Sequence, residues 1–201
     1  MINTTRLRCF VGLLAFFLPW IVALILRQIP SSISETYYTH AGAVFMIILG
    51  AASVLLMFYD GYDKTDDILN TTAGIFGLLI CLFPCWTRAE KVGTFQVSAD
   101  VSSTIHNISA ICFFAILAFV SLFQFTKSFT KHKENMPKKK RARNVIYRIC
   151  GVGMIGAFAL MLLPYFRIQI WLVETIALSF FGISWLTKAN HYKWLFADDK
   201  Q

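Results

Sequence analysis

His106, Glu174, Asp100 and Ser34 are the residues of this chain whose types could do chemistry together. Imidazole nitrogen and carboxylate oxygen are zinc ligands, so His106, Glu174 and Asp100 could hold a metal and leave a position for a water that it acidifies for hydrolysis. Ser34 or Ser103 would then steady an oxyanion or orient that water. With Glu35, His40 and Asn107, the same residues would line a polar pocket that binds without reacting. They also have a plainer reading. His40 and Asp100 become interfacial loop residues, His106, Asn107 and Ser109 cap or hydrogen-bond a helix, and Glu174 pairs with one of them. No H-x-x-x-H or H-x-x-E-H pair anchors two ligands on one helical turn, so the expectation is no cofactor, with zinc as the alternative.

Other groupings have weaker chemistry. Cys81 and Cys85 are spaced i,i+4 on a helix, but no second cysteine or histidine pair completes a zinc spacing, and packing is the expected role. All five cysteines (Cys9, Cys81, Cys85, Cys112 and Cys150) fall in apolar runs, which implies no disulfide framework. The run Asp60 to Asp67 is acidic enough to attract a divalent cation, yet it lacks the twelve-residue calcium-loop pattern with its terminal glutamate. It reads as a solvated turn, with Asp66 or Asp67 favouring the positive end of the following helix. Asn3, Asn70 and Asn107 match the glycosylation pattern by chance, given where the spans fall.

These residues must be positioned by elements that the composition assigns to lipid. The 201 residues are 57% hydrophobic and 15% charged, with a mean hydropathy of +0.60, which excludes an ordinary soluble domain. A helix rises 1.5 Å per residue and lipid offers the backbone no hydrogen-bond partner, so apolar runs of about 20 residues predict membrane-spanning helices. Six segments qualify, at about 9–26, 41–59, 68–86, 105–125, 146–166 and 168–187, and together they predict an all-α six-helix membrane bundle in one domain. The first is a retained span rather than a signal peptide, because Leu26-Arg27-Gln28 offers no small-residue cleavage site. Small residues at Gly50 to Ser53, at Ala73, Gly74 and Gly77, and at Gly151, Gly153, Gly156 and Ala157 predict close helix contacts. Trp20, Trp86, Trp171, Trp185 and Trp194 lie towards span ends and read as interfacial belts.

Lysine and arginine set the orientation, since short basic loops stay cytoplasmic. The basic loop at 127–145 carries Lys127, Lys131, Lys133, Lys138, Lys139, Lys140, Arg141 and Arg143. An even number of spans puts Arg6, Arg8, Lys64, Lys188, Lys193 and Lys200 on the same side and leaves Arg27, Arg88, Lys91 and Arg167 opposite. Both termini are therefore predicted cytoplasmic. The net charge of +8 raises nucleic acid as a partner, but no aromatic residues interleave the basic run to stack on bases. Anionic lipid headgroups at Lys138, Lys139, Lys140, Arg141 and Arg143 are expected instead, at roughly 1 kcal/mol per charge.

An ordered set of short motifs carries a family likeness: Pro30 with Ser32-Ile33-Ser34, Tyr59-Asp60-Gly61-Tyr62, Asn70 to Gly74, His106, and Glu174 with Phe181 to Trp185. The set resembles an uncharacterised bacterial family of six-span membrane proteins and, more distantly, the DRAM-type damage-regulated autophagy modulators. That resemblance implies a bacterial cytoplasmic (inner) membrane and a role in lipid organisation, and it supplies no catalytic residue. Ser34, Asp60 and His106 also loosely resemble the alkaline ceramidase and adiponectin receptor superfamily of seven-span zinc hydrolases, whose final-helix histidine pair is replaced here by Glu174 and Ser179. The leading expectation is a membrane component that binds or organises a lipid, a protein partner or a second copy of itself through an outward polar pocket. The alternative is an intramembrane metal-dependent lipid amide or ester hydrolase. A transporter comes third, because no inverted repeat with paired broken helices is present.

Overall fold

The computed structural model describes residues 4–127, 138–161 and 169–189. The chain is helical, with six α-helices among the described residues: α1 (Thr4–Leu26), α2 (Gly42–Met57), α3 (Lys64–Leu82), α4 (Ala99–Phe119), α5 (Lys138–Met161) and α6 (Ile170–Lys188). A single 3-10 turn covers Ser34–Tyr38, and α4 runs on into a π turn at Val120–Gln124. A two-residue hairpin, β1 (Lys91–Val92) with β2 (Val97–Ser98), is the only departure from helix pairing among the described residues. Expectations for Lys131, Lys133, Arg167, Lys193, Trp194, Lys200, Asn3 and the end of the fifth span fall outside the described residues.

Among the described residues, four helices are long and apolar enough to cross a membrane: α1, α3, α6, and α4 with its π turn (Ala99–Gln124). The fifth expected span differs, because α5 is already helical at Lys138 and so converts Lys138 to Arg143 from loop into the first turns of a helix. The third and fourth helices also begin earlier than their apolar runs. Asp63 accepts from the Asp66 amide (3.1 Å) to cap α3, and Ser98 accepts from the Val101 amide (3.4 Å) to cap α4. Hydropathy marks the stretch that lipid can solvate, whereas the helix itself extends through polar turns wherever a cap satisfies the free amides. α2 spans only 16 residues.

Helices consecutive in sequence pack side by side, and α6 packs against both α5 and α1, which closes the bundle into a ring. α1 and α6 approach most closely at Gly12 and Gly182. A Cβ on Gly182 would stand 2.8 Å from the Gly12 carbonyl oxygen, and one on Gly12 would stand 3.0 Å from the Gly182 oxygen. Gly74 and Gly77 meet the helix around Ser53 as their composition anticipates, while Gly50 and Gly156 face open space. Trp185 is fully buried and Trp171 is 6% exposed, so neither joins an interfacial belt; Trp20 and Trp86 are exposed. The Trp185 indole turns into the bundle instead, against Phe181 of its own helix, Tyr59 just beyond α2 and Phe125 just beyond the π turn.

Candidate functional site

Glu174 sits about one turn into α6, where its carboxylate collects a cluster of donors from the segment that follows α1. It accepts from Ser32 Oγ (3.0 and 3.1 Å), Ser34 Oγ (3.0 Å) and the Ile33 backbone amide (2.5 Å). Ser32 Oγ in turn accepts from the Ser34 amide at 3.1 Å. The Trp171 amide donates to the Ser31 carbonyl at 2.9 Å, a second tie between the same two segments. Three donors on consecutive residues form a nest around the carboxylate, an arrangement that offsets part of the cost of holding it among helices.

Beneath this nest lies a cavity of about 60 Å3 to which all six helices contribute, including Leu18, Phe45, Ile80, Phe113, Phe158 and Leu178. Its lining is apolar apart from Glu174 and Ser34. Phe114 and Phe158, with ring centroids 4.9 Å apart, close the wall between α4 and α5.

The other residues of the expected pocket have different work. His106 is buried, and its Nδ1 donates to the Phe83 carbonyl at 2.9 Å. Ser102 Oγ donates to the Pro84 carbonyl (2.7 Å), the Tyr38 hydroxyl to the Cys85 carbonyl (2.6 Å), and Trp86 Nε1 to Asp100 (3.2 Å). These bonds pin 83–86, the segment leaving α3, against α4 and the 3-10 turn. Partial burial, with Cys85 and Tyr37 nearby, pushes the Tyr38 hydroxyl up to about 12, so it stays a neutral donor. Glu35 is exposed, Asn107 is exposed and reaches only Ser103 (3.5 Å), and His40 meets the Ile25 carbonyl at 3.2 Å.

Of the expected set, then, only Ser34 and Glu174 meet. Glu174 pairs with the serine loop rather than with His106, Asn107 or Ser109, because the loop brings its donors to the carboxylate while His106 is turned towards the end of α3. Among the described residues, no three His, Cys, Asp or Glu side chains come together as a metal site. Sequence reasoning missed Ser32 as a Glu174 ligand and Tyr38 and Ser102 as clamps. The signal available for Ser32 was its place two residues before Ser34 in the same short polar loop.

At the opposite end of the bundle the acidic run is solvated at Asp60 and Asp63, but not at Asp66. Asp66 is 2% exposed, and its carboxylate accepts from the Tyr62 amide (2.8 Å) while Asp67 accepts from the Gly61 amide (2.7 Å). Lys127 bridges to Asp63 (2.7 Å) and Asp66 (3.3 Å), tying the start of α3 to the end of the π turn. The Lys127 hydrogen bond holds Asp63 below the usual carboxylate range, and the Asp66 amide adds to this. For Lys127, burial works to lower its value, but the bonds to Asp63 and Asp66 outweigh it and leave the ammonium above the usual lysine range. The signs follow: the Asp63 contribution to stability is present above the ordinary carboxylate range and is lost as pH falls through the lowered folded value. The Lys127 contribution is present below the ordinary lysine range and is lost as pH rises through the raised folded value. Both partners are exposed enough for solvent to keep the pair weak.

No family model, curated protein or solved structure matches the chain. Function therefore rests on the geometry of the site.

Proposed function

We propose that the chain is a multi-pass integral membrane protein of six spans, with both termini cytoplasmic, that binds an amphiphilic lipid-type ligand in the cavity between its helices. One observation carries this reading: a carboxylate and a serine hydroxyl stand at the head of an otherwise apolar cavity that draws on every helix. Such a site accepts the short apolar end of a molecule, with the Glu174 carboxylate and its serine donors closing the head of the cavity. A volume of about 60 Å3 has room for roughly two water-sized groups, enough for the terminal carbons of an acyl chain. The wall made by Phe114 and Phe158 is the natural side door, because α4 meets α5 along a shorter seam than it shares with α3.

The spread of charge supports the orientation. Arg6, Arg8, Lys64, Lys127 and Lys138 to Arg143 cluster at helix ends opposite Arg27, Arg88 and Lys91. α2 is short for a span, and Ala41 and Phe58 at its ends extend its apolar length. The likeness noted from the motifs favours a bacterial cytoplasmic membrane. Binding is preferred to hydrolysis because the Glu174 lone pairs are already taken by three donors, and His106 and Asp100 serve the segment after α3.

The test is a phospholipid carrying a photoactivatable diazirine at the acyl terminus, reconstituted with the protein in vesicles. Crosslinks are expected on Phe113, Phe114 and Phe158. Labelling confined to the lipid-facing Phe10, Leu24, Ile47, Ile111 and Val152, which are exposed on the outside of the bundle, would overturn the reading.

A further inference from the structure

At the end of the bundle away from Glu174, five cationic side chains line a second cavity, of about 170 Å3. Arg8 comes from α1, Lys127 from the chain after the π turn, Lys140 and Arg143 from α5, and Lys188 from the last turn of α6. No acidic side chain among the described residues lines it. The two carboxylates nearby, Asp63 and Asp66, stand behind Lys127 and hold that lysine.

Lys188 is the telling member. It is 7% exposed, and its ammonium lies 4.4 Å from the centroid of the Tyr62 ring, 5.0 Å from that of Phe125 and 5.9 Å from that of Tyr147. Among the described residues no carboxylate or carbonyl accepts from it, so its partners are ring faces. Ring quadrupoles offset only part of the cost of taking an ammonium out of water. Arg8 repeats the pattern: its guanidinium lies 5.2 Å from the Tyr59 ring centroid and donates once to the Tyr59 hydroxyl (3.2 Å), while its Nε is buried without a partner. A buried ammonium and a half-buried guanidinium, with donors to spare, face one basic cavity, a donor set that suits an anion with several acceptor oxygens.

We infer that this cavity binds a phosphate monoester group. A tetrahedral dianion presents three oxygens to converging donors, matching a guanidinium fork beside a point-charge ammonium. A volume of 170 Å3 exceeds that of a few water-sized groups, so the site holds the phosphate together with part of what bears it, against the Tyr62, Phe125 and Tyr147 rings. In the proposed orientation the cavity opens at the cytoplasmic leaflet, where both phosphorylated lipid headgroups and soluble phosphate esters occur. The inference is independent of the cavity at Glu174, since the two sites share no lining residue.

The experiment is thermal unfolding of the full chain in neutral detergent, titrated with dioctanoyl phosphatidic acid, inorganic phosphate or dioctanoyl phosphatidylcholine at constant ionic strength. Phosphatidic acid is expected to raise Tm in proportion to the logarithm of its concentration, with phosphatidylcholine inert. A tenfold or greater preference for phosphatidic acid over inorganic phosphate assigns the site to a lipid headgroup, and equal potency assigns it to a soluble phosphate; both support the inference. Lys188→Met should abolish the ligand-dependent rise while leaving the ligand-free Tm equal to or above wild type, because it removes a buried charge that no carboxylate among the described residues pairs with. Arg8→Gln gives an independent reading, with an expected loss of at least tenfold in apparent affinity. The inference is overturned if neither phosphate compound stabilises wild type beyond chloride, or if both variants respond as wild type does.

Discussion

Replacing Glu174 with alanine is expected to cost about 3 kcal/mol of folding stability, because three donors lose one acceptor at once and a buried unpaired donor costs roughly 1 kcal/mol or more. The Ser32 and Ser34 hydroxyls and the Ile33 amide all point at this carboxylate, and Ser32 and Ile33 are 5% and 2% exposed, so bulk solvent does not take the acceptor's place at those two residues. Removing a buried charge recovers some desolvation energy, which keeps the expected loss below the sum of three separate bonds. Glu174→Gln should fall between alanine and wild type, since its amide oxygen still accepts while its NH2 confronts a donor. Reversible unfolding in mixed micelles measures the difference. An alanine variant as stable as wild type would show that the serine loop is held by something other than Glu174.

A comparable loss, also about 3 kcal/mol, is expected for Gly182→Val, by a different mechanism. The added Cβ would stand 2.8 Å from both the Gly12 carbonyl oxygen and the Phe16 Cβ, and the valine methyls would reach further still. The oxygen belongs to a helix backbone that cannot rotate away, so the two helices must part, and overpacking of this kind costs roughly 1–3 kcal/mol and sometimes more. The same unfolding assay applied to Gly12→Ala, Gly182→Val and the double variant should show less than additive losses, since parting the helices once relieves both contacts.

Much of the architecture is legible in the residues themselves. The apolar runs mark helices because only a helix closes its own hydrogen bonds in hydrocarbon, and Gly74 and Gly77 sit where their size implied, against Ser53. What hydropathy misses is helix built from polar residues: Lys64 to Asp67 and Lys138 to Arg143 are helical, and caps, charge and tertiary contact decide that rather than lipid. The candidate site divides along the same line. Ser34 and Glu174 both belong to the outer polar set and do meet, but the pairing spans 140 residues, and nothing local separates it from the pairing of Glu174 with His106. His106 took a carbonyl at the end of α3 instead, a choice made by the unwinding of the chain at Phe83 and Pro84. The basic cavity was the least visible feature. Arg8, Lys127 and Lys188 each read as an isolated charge that sets topology, and only the closure of α6 against both α1 and α5 brings them to one place.

The central claim is that these helices cross a bilayer with the Glu174 end outside and the Lys188 end in the cytoplasm. Thr94→Cys in the hairpin turn and Thr65→Cys at the start of α3 are exposed positions at opposite ends of the bundle, and each can be placed singly in a chain whose native cysteines are alanine. With a membrane-impermeant maleimide, intact cells should label Thr94→Cys alone, and Thr65→Cys should react only after permeabilisation. Labelling of both positions in intact cells, or the reverse pattern, would contradict the account.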